Sequence, residues 1–119
     1  MNGRELEAIF SAAGVTRRGL FVFTTAGGAD GATVYSRMVG TNGFEDPATG
    51  SASGPLGCYL VRHGLVPAAR ADAIVSAQGV KMGRPSRIHI RVGLTGGEIT
   101  RVQVGGESVL VGDGRLRSA

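Results

Sequence analysis

Polar side chains that could do chemistry are concentrated in the stretch GFEDPATGSASGPLGCYLVRHGL, residues 43–65. Two carboxylates, Glu45 and Asp46, precede a proline and a Thr-Gly-Ser turn, and a helix rich in small and apolar residues follows. The first amide hydrogens of a helix have no partner inside it and carry partial positive charge, so they can bind a carboxylate or a phosphate. A carboxylate placed beside them can take a proton from carbon or oxygen. The stretch is typical of a site that binds an anion and moves a proton.

The simpler interpretation of these residues is helix capping, because acidic residues, serine and threonine are common before any helix. Thr49, Ser51 and Ser53 could each cap the helix or bind a ligand. Capping needs one such side chain, whereas five polar side chains occupy nine consecutive positions here. A largely apolar helix behind them would also place the cluster at the edge of a core, where pockets form. Because adjacent side chains usually point apart, Asp46 is preferred to Glu45 as the proton-transfer group.

A second candidate segment is QGVKMGRPS, residues 78–86, whose glycines allow a tight backbone. Lys81 and Arg84 give this segment positive charge. It is either a solvated loop between strands or part of the rim of a pocket. Gln78 and Gly79 are therefore weaker candidates for substrate binding.

The remaining nucleophilic and metal-ligating residues favour structural roles. Cys58 falls about two turns into the helix, where a packed core thiol is expected. His63 ends the same helix and can interact with its dipole, and His89 is expected on the less buried face of a strand. Two distant histidines without carboxylates at ligand spacing make a poor metal site, so no metal is predicted.

The flanking sequence predicts an α+β domain. A first helix is expected over Asn2–Ala13, with a buried face of Leu6, Ile9, Phe10 and Ala13. The second helix runs from about Ser51 or Ser53 to His63, with Pro55 tolerated in its first turn and with Gly54 and Gly57 suited to a closely packed backbone. Alternating apolar residues predict strands over Gly19–Thr25, Ala32–Gly40, Ala73–Gln78, Ser86–Leu94, Glu98–Gly106 and Glu107–Gly114. A turn is expected at Ala26–Gly31, and Gly105-Gly106 would join the last two strands in a hairpin.

These elements predict one domain over residues 1–119, in which a curved, mostly antiparallel sheet wraps around the second helix. The composition supports a globular protein, with 42% hydrophobic and 18% charged residues. Basic residues are scattered and aromatic residues are few, which is not the pattern of a nucleic-acid-binding protein. The single cysteine excludes an internal disulfide. The sequence contains no membrane span or signal-peptide pattern, so a cytoplasmic location is expected.

The segment GFEDPATGSASGPLGCYL closely resembles the signature of the PhzF-like family, the phenazine-biosynthesis isomerase-like proteins, which have the diaminopimelate epimerase-like fold. The segments QGVKMGRPSRIHIRV and VQVGGESVLVGDGRL resemble the next two blocks of that family, and YSRMVG resembles the strand before the signature. The resemblance implies cofactor-independent proton transfer, an isomerisation or epimerisation of a small carboxylate. It assigns the signature acid to Asp46 and a grip on the substrate carboxylate to Gly50, Ser51 and Ala52.

Family members have two similar lobes with the active site between them, and this sequence resembles the C-terminal lobe alone. The other lobe contributes a general acid/base glutamate and usually a histidine. The resemblance therefore implies a partner: a second copy in a homodimer, or a separate N-terminal lobe. The alternative is a non-catalytic module that binds small anions, or an inactive truncated relative.

Overall fold

The computed structural model describes residues 2–16, 19–26 and 30–117. Two helices and six strands follow one another as α1 (Gly3–Ala12), β1 (Gly19–Thr24), β2 (Val34–Gly40), β3 (Glu45–Asp46), α2 (Gly50–Arg62), β4 (Ile74–Gln78), β5 (Ser86–Thr95) and β6 (Glu98–Gly106). A short 3-10 helix, Ala68–Arg70, lies between α2 and β4. The predicted turn at Ala26–Gly31 falls partly on residues 27–29, outside the described residues.

The strands form one curled, mixed sheet in the order β1-β2-β4-β5-β6, with β3 paired to β2. Only the β2–β4 pairing is parallel among these ladders, and the rest are antiparallel. The parallel pair arises because the chain leaves β2, passes through β3 and α2, and returns beside β2 as β4. The predicted α+β class and mostly antiparallel sheet are confirmed.

Helix α2 supplies the centre of the core. Its residues Leu56 and Leu60 are buried against side chains from the inner face of the sheet, namely Val34, Ile74, Ile88, Ile90 and Val92. The predicted close backbone at the helix glycines is wrong in detail, because side chains fill that space. A Cβ on Gly57 would lie 2.5 Å from Ile90 Cγ2, whereas one on Gly54 would make ordinary 3.5 Å contacts with Val102 and Val104.

The first helix forms as predicted but is less buried. Asn2 caps it, its Oδ1 accepting from the Arg4 amide at 3.1 Å. Leu6 is buried and Phe10 is half-buried, but Ile9 is 62% exposed and Ala13 is exposed, so the predicted buried face is wrong at Ile9 and Ala13. The first turn docks closely, since a Cβ on Gly3 would collide with the carbonyl oxygen of Thr41. None of the helices described has the length and apolar content needed to cross a membrane.

The predicted last strand is wrong. Residues 107–117 form no regular structure, and Val109, Leu110 and Val111 are 83–95% exposed. Gly105 and Gly106 do not form a turn because both are paired with β5 and neither has the positive φ that a two-residue hairpin turn requires. The hairpin instead joins β5 to β6 through Gly96 and Gly97, which both have positive φ.

Candidate active site

The candidate acid is placed by a short strand that leads into α2. Asp46 ends β3 and is paired with Met38 of β2, so its backbone is fixed by the sheet. Pro47 holds the preceding residue extended, and Thr49 is the N-cap of α2. This strand-turn-helix path brings the Asp46 carboxylate beside the first turn of the helix.

One oxygen of the Asp46 carboxylate is firmly held. Its Oδ2 accepts a hydrogen bond from the Thr49 hydroxyl at 2.7 Å, and the carboxylate is half-buried. Its Oδ1 has a longer contact, 3.5 Å, with the Ala48 amide. The carboxylate is therefore fixed in orientation while one oxygen remains weakly engaged.

The helix terminus beside Asp46 is left without a side-chain cap. The Thr49 side chain makes no capping bond to the first turn, because its hydroxyl is turned to Asp46. Ser53 is buried and donates back to the Thr49 carbonyl at 2.7 Å, so it does not cap the helix either. The first amides, those of Gly50, Ser51 and Ala52, thus keep the positive end of the helix dipole available to an anion. This arrangement disfavours the capping interpretation.

Gln78 links the turn between β3 and α2 to strand β4 through side-chain hydrogen bonds. Its side chain is completely buried at the end of β4. Its Oε1 accepts from the Thr49 amide at 3.1 Å, and its Nε2 donates to the Asp46 carbonyl and the Thr49 hydroxyl, both at 2.8 Å. The sequence singled out Gln78 as a site residue but did not reveal this bridging geometry, because its partners lie about thirty positions away.

Gly79 permits the close approach of the loop that follows. Its φ is +74°, and a Cβ there would collide with the carbonyl oxygen of Arg84 and lie 3.0 Å from that of Pro47. The Arg84 amide donates to the Gly79 carbonyl at 3.0 Å, which closes the loop. Gly79 therefore packs against Pro47 in the turn between β3 and α2, which is called the signature turn below, while Lys81 and Arg84 are exposed.

Glu45 faces away from this cluster. Its carboxylate accepts two hydrogen bonds from Arg37, at 3.0 and 2.7 Å, on the other face of the sheet. These bonds from the guanidinium, together with its positive charge, lower the pKa of the Glu45 carboxyl below its ordinary value despite partial burial. Glu45 is thus committed to an ion pair.

The other candidates keep structural positions. Cys58 is half-buried in α2, and His63 is the C-cap residue, with its ring 4.3 Å from that of Tyr59. His89 is exposed on β5. Within the residues described, no three His, Cys, Asp or Glu side chains come together as metal ligands.

A depression of about 460 Å³ adjoins the signature turn. It is bordered by Ala48 on the turn and by residues around the start of β5 and the end of β6. These residues are Pro85, Ser86, Arg87, Ile88, Gly106 and Glu107. This lining could not be predicted from local patterns, because its segments are distant in the chain and the start of β5 meets the end of β6 only through strand pairing. The depression touches the turn before α2 at Ala48, and neither Asp46 nor the first-turn residues Gly50, Ser51 and Ala52 border it.

Comparison with known proteins matches residues 8–114 to the family described as phenazine biosynthesis-like proteins, PhzC-PhzF. The chain belongs to this family. The PhzF-like chain is 39% identical over 84 residues to an uncharacterized isomerase of Mesorhizobium japonicum, covering 69% of this chain and 28% of that protein. It is 42% identical over 71 residues to the trans-2,3-dihydro-3-hydroxyanthranilate isomerase of Pseudomonas aeruginosa, covering 60% and 25%.

An uncharacterized isomerase of Clostridium acetobutylicum is 35% identical over 100 residues, covering 78% of this chain and 32% of the relative. The PhzF-like chain therefore spans between a quarter and a third of the length of these curated relatives. The aligned part is one portion of each relative, and the activity in a relative's name belongs to that whole protein.

Proposed function

We propose that the PhzF-like chain forms one lobe of an isomerase or epimerase that moves a proton on a small carboxylate without a cofactor. The observation that carries this proposal is the Asp46 carboxylate, fixed by Thr49 beside a helix terminus that has no side-chain cap. Membership in the family and the isomerase names of its relatives point to the same reaction class. In this proposal the lobe has the diaminopimelate epimerase-like arrangement.

The substrate carboxylate binds at the first turn of α2. The amides of Gly50, Ser51 and Ala52 donate to it, and the exposed Ser51 hydroxyl can add a further hydrogen bond. The polar atoms of Thr49 and Gln78 are already used inside the protein, so these residues shape the site rather than contact the substrate. Gly79 supports the turn from behind.

Asp46 then accepts or donates the proton at the carbon next to that carboxylate. A second acid/base group is needed on the opposite side of the carbon to complete an isomerisation or epimerisation. Within the described residues the neighbouring acid, Glu45, is paired with Arg37 and cannot serve. The second group comes from another lobe, either a second copy of this chain or a separate N-terminal lobe.

The surface around α2 supports a partner at this position. Tyr59 on the helix and Phe23 beside it are partly exposed with their rings 5.8 Å apart, and Val102 and Val104 flank the helix near Gly54. Exposed apolar side chains grouped on one face are typical of an interaction surface. A second lobe placed there would cover them.

A non-catalytic module that binds small anions is the second candidate. It is favoured by the observation that a single lobe brings one free carboxylate to the helix terminus, which suffices for binding but not for two-sided proton transfer. In that case the grip at Gly50, Ser51 and Ala52 would bind carboxylates without exchanging their carbon-bound hydrogen.

The deciding experiment measures deuterium incorporation from D2O at the acidic carbon of candidate small acids, with the chain in its native assembly. Light scattering first establishes whether that assembly is a dimer. We expect wild-type incorporation that Asp46→Asn abolishes and that Asp72→Asn, an exposed acid away from the site, leaves unchanged. Carboxylate binding without incorporation would establish the binding module instead, and equal incorporation by wild type and Asp46→Asn would refute the role of Asp46.

A further inference from the structure

We infer that Gln78 is a positioning residue that determines which oxygen of Asp46 exchanges the proton. This inference rests on the proposed function, in which Asp46 is the proton-transfer group. It concerns a hydrogen-bond chain that runs from the Gln78 amide through the Thr49 hydroxyl to the Asp46 carboxylate.

The orientation of the Gln78 amide is fixed by its neighbours. A backbone amide can only donate and a backbone carbonyl can only accept. The Thr49 amide must therefore face Oε1, and the Asp46 carbonyl must face Nε2. The reversed amide would place two donors together at Thr49 and two acceptors together at Asp46, which a completely buried side chain cannot tolerate.

This orientation sets the direction of the next hydrogen bond. Gln78 Nε2 has two hydrogens, and the one not used on the Asp46 carbonyl is directed at Thr49 Oγ1, 2.8 Å away. The Thr49 oxygen accepts there, so its own single hydrogen is given to Asp46 Oδ2 at 2.7 Å. Gln78 thereby occupies one acceptor position of the Thr49 oxygen and favours donation by the Thr49 hydroxyl to the carboxylate.

This donor at Oδ2 distinguishes the two carboxylate oxygens. Oδ2 is occupied as an acceptor, while Oδ1 has only the 3.5 Å contact with the Ala48 amide. Oδ1 is therefore the oxygen that takes and returns the substrate proton. Gln78 is also anchored to the sheet at the end of β4, paired with Ser36 of β2, so the direction of the bond is held by the core.

The test separates the chemistry of this chain of hydrogen bonds from the stability of the fold. Thr49→Val keeps the side-chain shape and removes the hydroxyl, whereas Thr49→Ser keeps the hydroxyl. Thr33→Val is the matched control, because it removes a hydroxyl that accepts from the Val75 amide away from the site. Deuterium incorporation gives kcat and KM for each variant, and an NMR titration with the same carboxylate follows the amides of the α2 first turn.

We expect Thr49→Val to lower kcat by about 10- to 100-fold, the range found when a group that orients a reactive ligand is lost. KM and carboxylate affinity should change less than twofold, since the helix amides are intact, and Thr49→Ser should restore most of kcat. Gln78→Glu should lower kcat as well, because it removes the Nε2 group that donates to Thr49 Oγ1 and so leaves the direction of the Thr49 hydroxyl unset.

Two results overturn the inference, and they are distinguishable. If Asp46→Asn abolishes incorporation while Thr49→Val behaves like Thr33→Val, the proposed function stands and the role of Gln78 falls. If Asp46→Asn has no effect, or wild type incorporates no deuterium, the proposed function falls and the inference with it. A loss of carboxylate affinity in Thr49→Val equal to its loss of kcat would show a merely structural role and also refute the inference.

Discussion

Gly79→Ala should destabilise the protein more than any exposed glycine substitution, although Gly79 offers no side chain to a substrate. An alanine at φ +74° adopts the left-handed conformation, which costs about 1 to 2 kcal/mol. Its Cβ would also collide with the Arg84 carbonyl and approach that of Pro47 at 3.0 Å. Both neighbours are backbone, and forcing them apart adds about 1 to 3 kcal/mol, as overpacked substitutions do.

The total loss in the free energy of unfolding is therefore about 2 to 5 kcal/mol, which is about 8 to 20 °C in Tm for a domain of this size. Gly83→Ala is the matched control, because Gly83 has the same φ of +74° with no atom within 4 Å of the added Cβ. It should cost only the conformational part, about 1 to 2 kcal/mol. Urea unfolding followed by circular dichroism measures both variants. Equal losses would refute the steric argument and the close contact beneath the signature turn.

Three further predictions follow from the packing and the charges. Gly57→Ala should lower the free energy of unfolding by about 1 to 3 kcal/mol, because the added Cβ would be too close to Ile90. Gly54→Ala makes ordinary contacts and should raise the free energy of unfolding by up to about 1 kcal/mol, because alanine favours the helix. Thermal unfolding of both variants checks this, and a gain in stability in both would contradict it. Arg37 lowers the pKa of the Glu45 carboxyl, so their ion pair stabilises the fold at neutral pH and loses that effect as pH falls through the folded-state pKa. Glu45→Gln should therefore remove at most about 1 kcal/mol at pH 7 and progressively less as the solution is acidified. Urea unfolding across pH measures this, and a loss that does not change with pH would exclude the ion pair as its cause. Leu60→Ala in the core should lower the free energy of unfolding by about 2 to 5 kcal/mol. Leu110→Ser should change it by less than about 0.5 kcal/mol, because Leu110 is 87% exposed. A large effect at Leu110 would mean that residues 107–117 are covered in solution.

The sequence was sufficient to predict most of the elements because their patterns are local. Alternation of Ile88, Ile90 and Val92 predicts β5, and the second helix buries Leu56 and Leu60 in the core, although Tyr59 stays 48% exposed. The error at residues 107–114 has a physical cause. The β-branched residues there satisfy the strand pattern, but a strand also needs a partner, and pairing is not encoded in the segment itself.

The hydrogen bonds that connect the candidate site residues could not be predicted from the sequence. The polar cluster before α2 marked Asp46 and the first-turn amides, since capping chemistry and anion binding draw on the same residue types. The spacing could not show that the Thr49 and Ser53 hydroxyls leave the helix terminus uncapped. Thr49 turns to Asp46 instead of the helix because Gln78, far away in the chain, occupies its oxygen as an acceptor. Only the sheet brings that amide into range.

The parallel pairing of β2 with β4 has a consequence for how the site comes into being during folding. Gln78 lies 29 positions from Thr49 and 32 from Asp46, with the whole of α2 between them. It meets these two residues only after the crossover from β2 to β4 has closed. Closing a loop of that length is entropically unfavourable until the helix has packed. A synthetic peptide of residues 43–65 would carry every residue of the signature and still lack the arrangement, because Gln78 and the sheet that holds it lie outside the peptide.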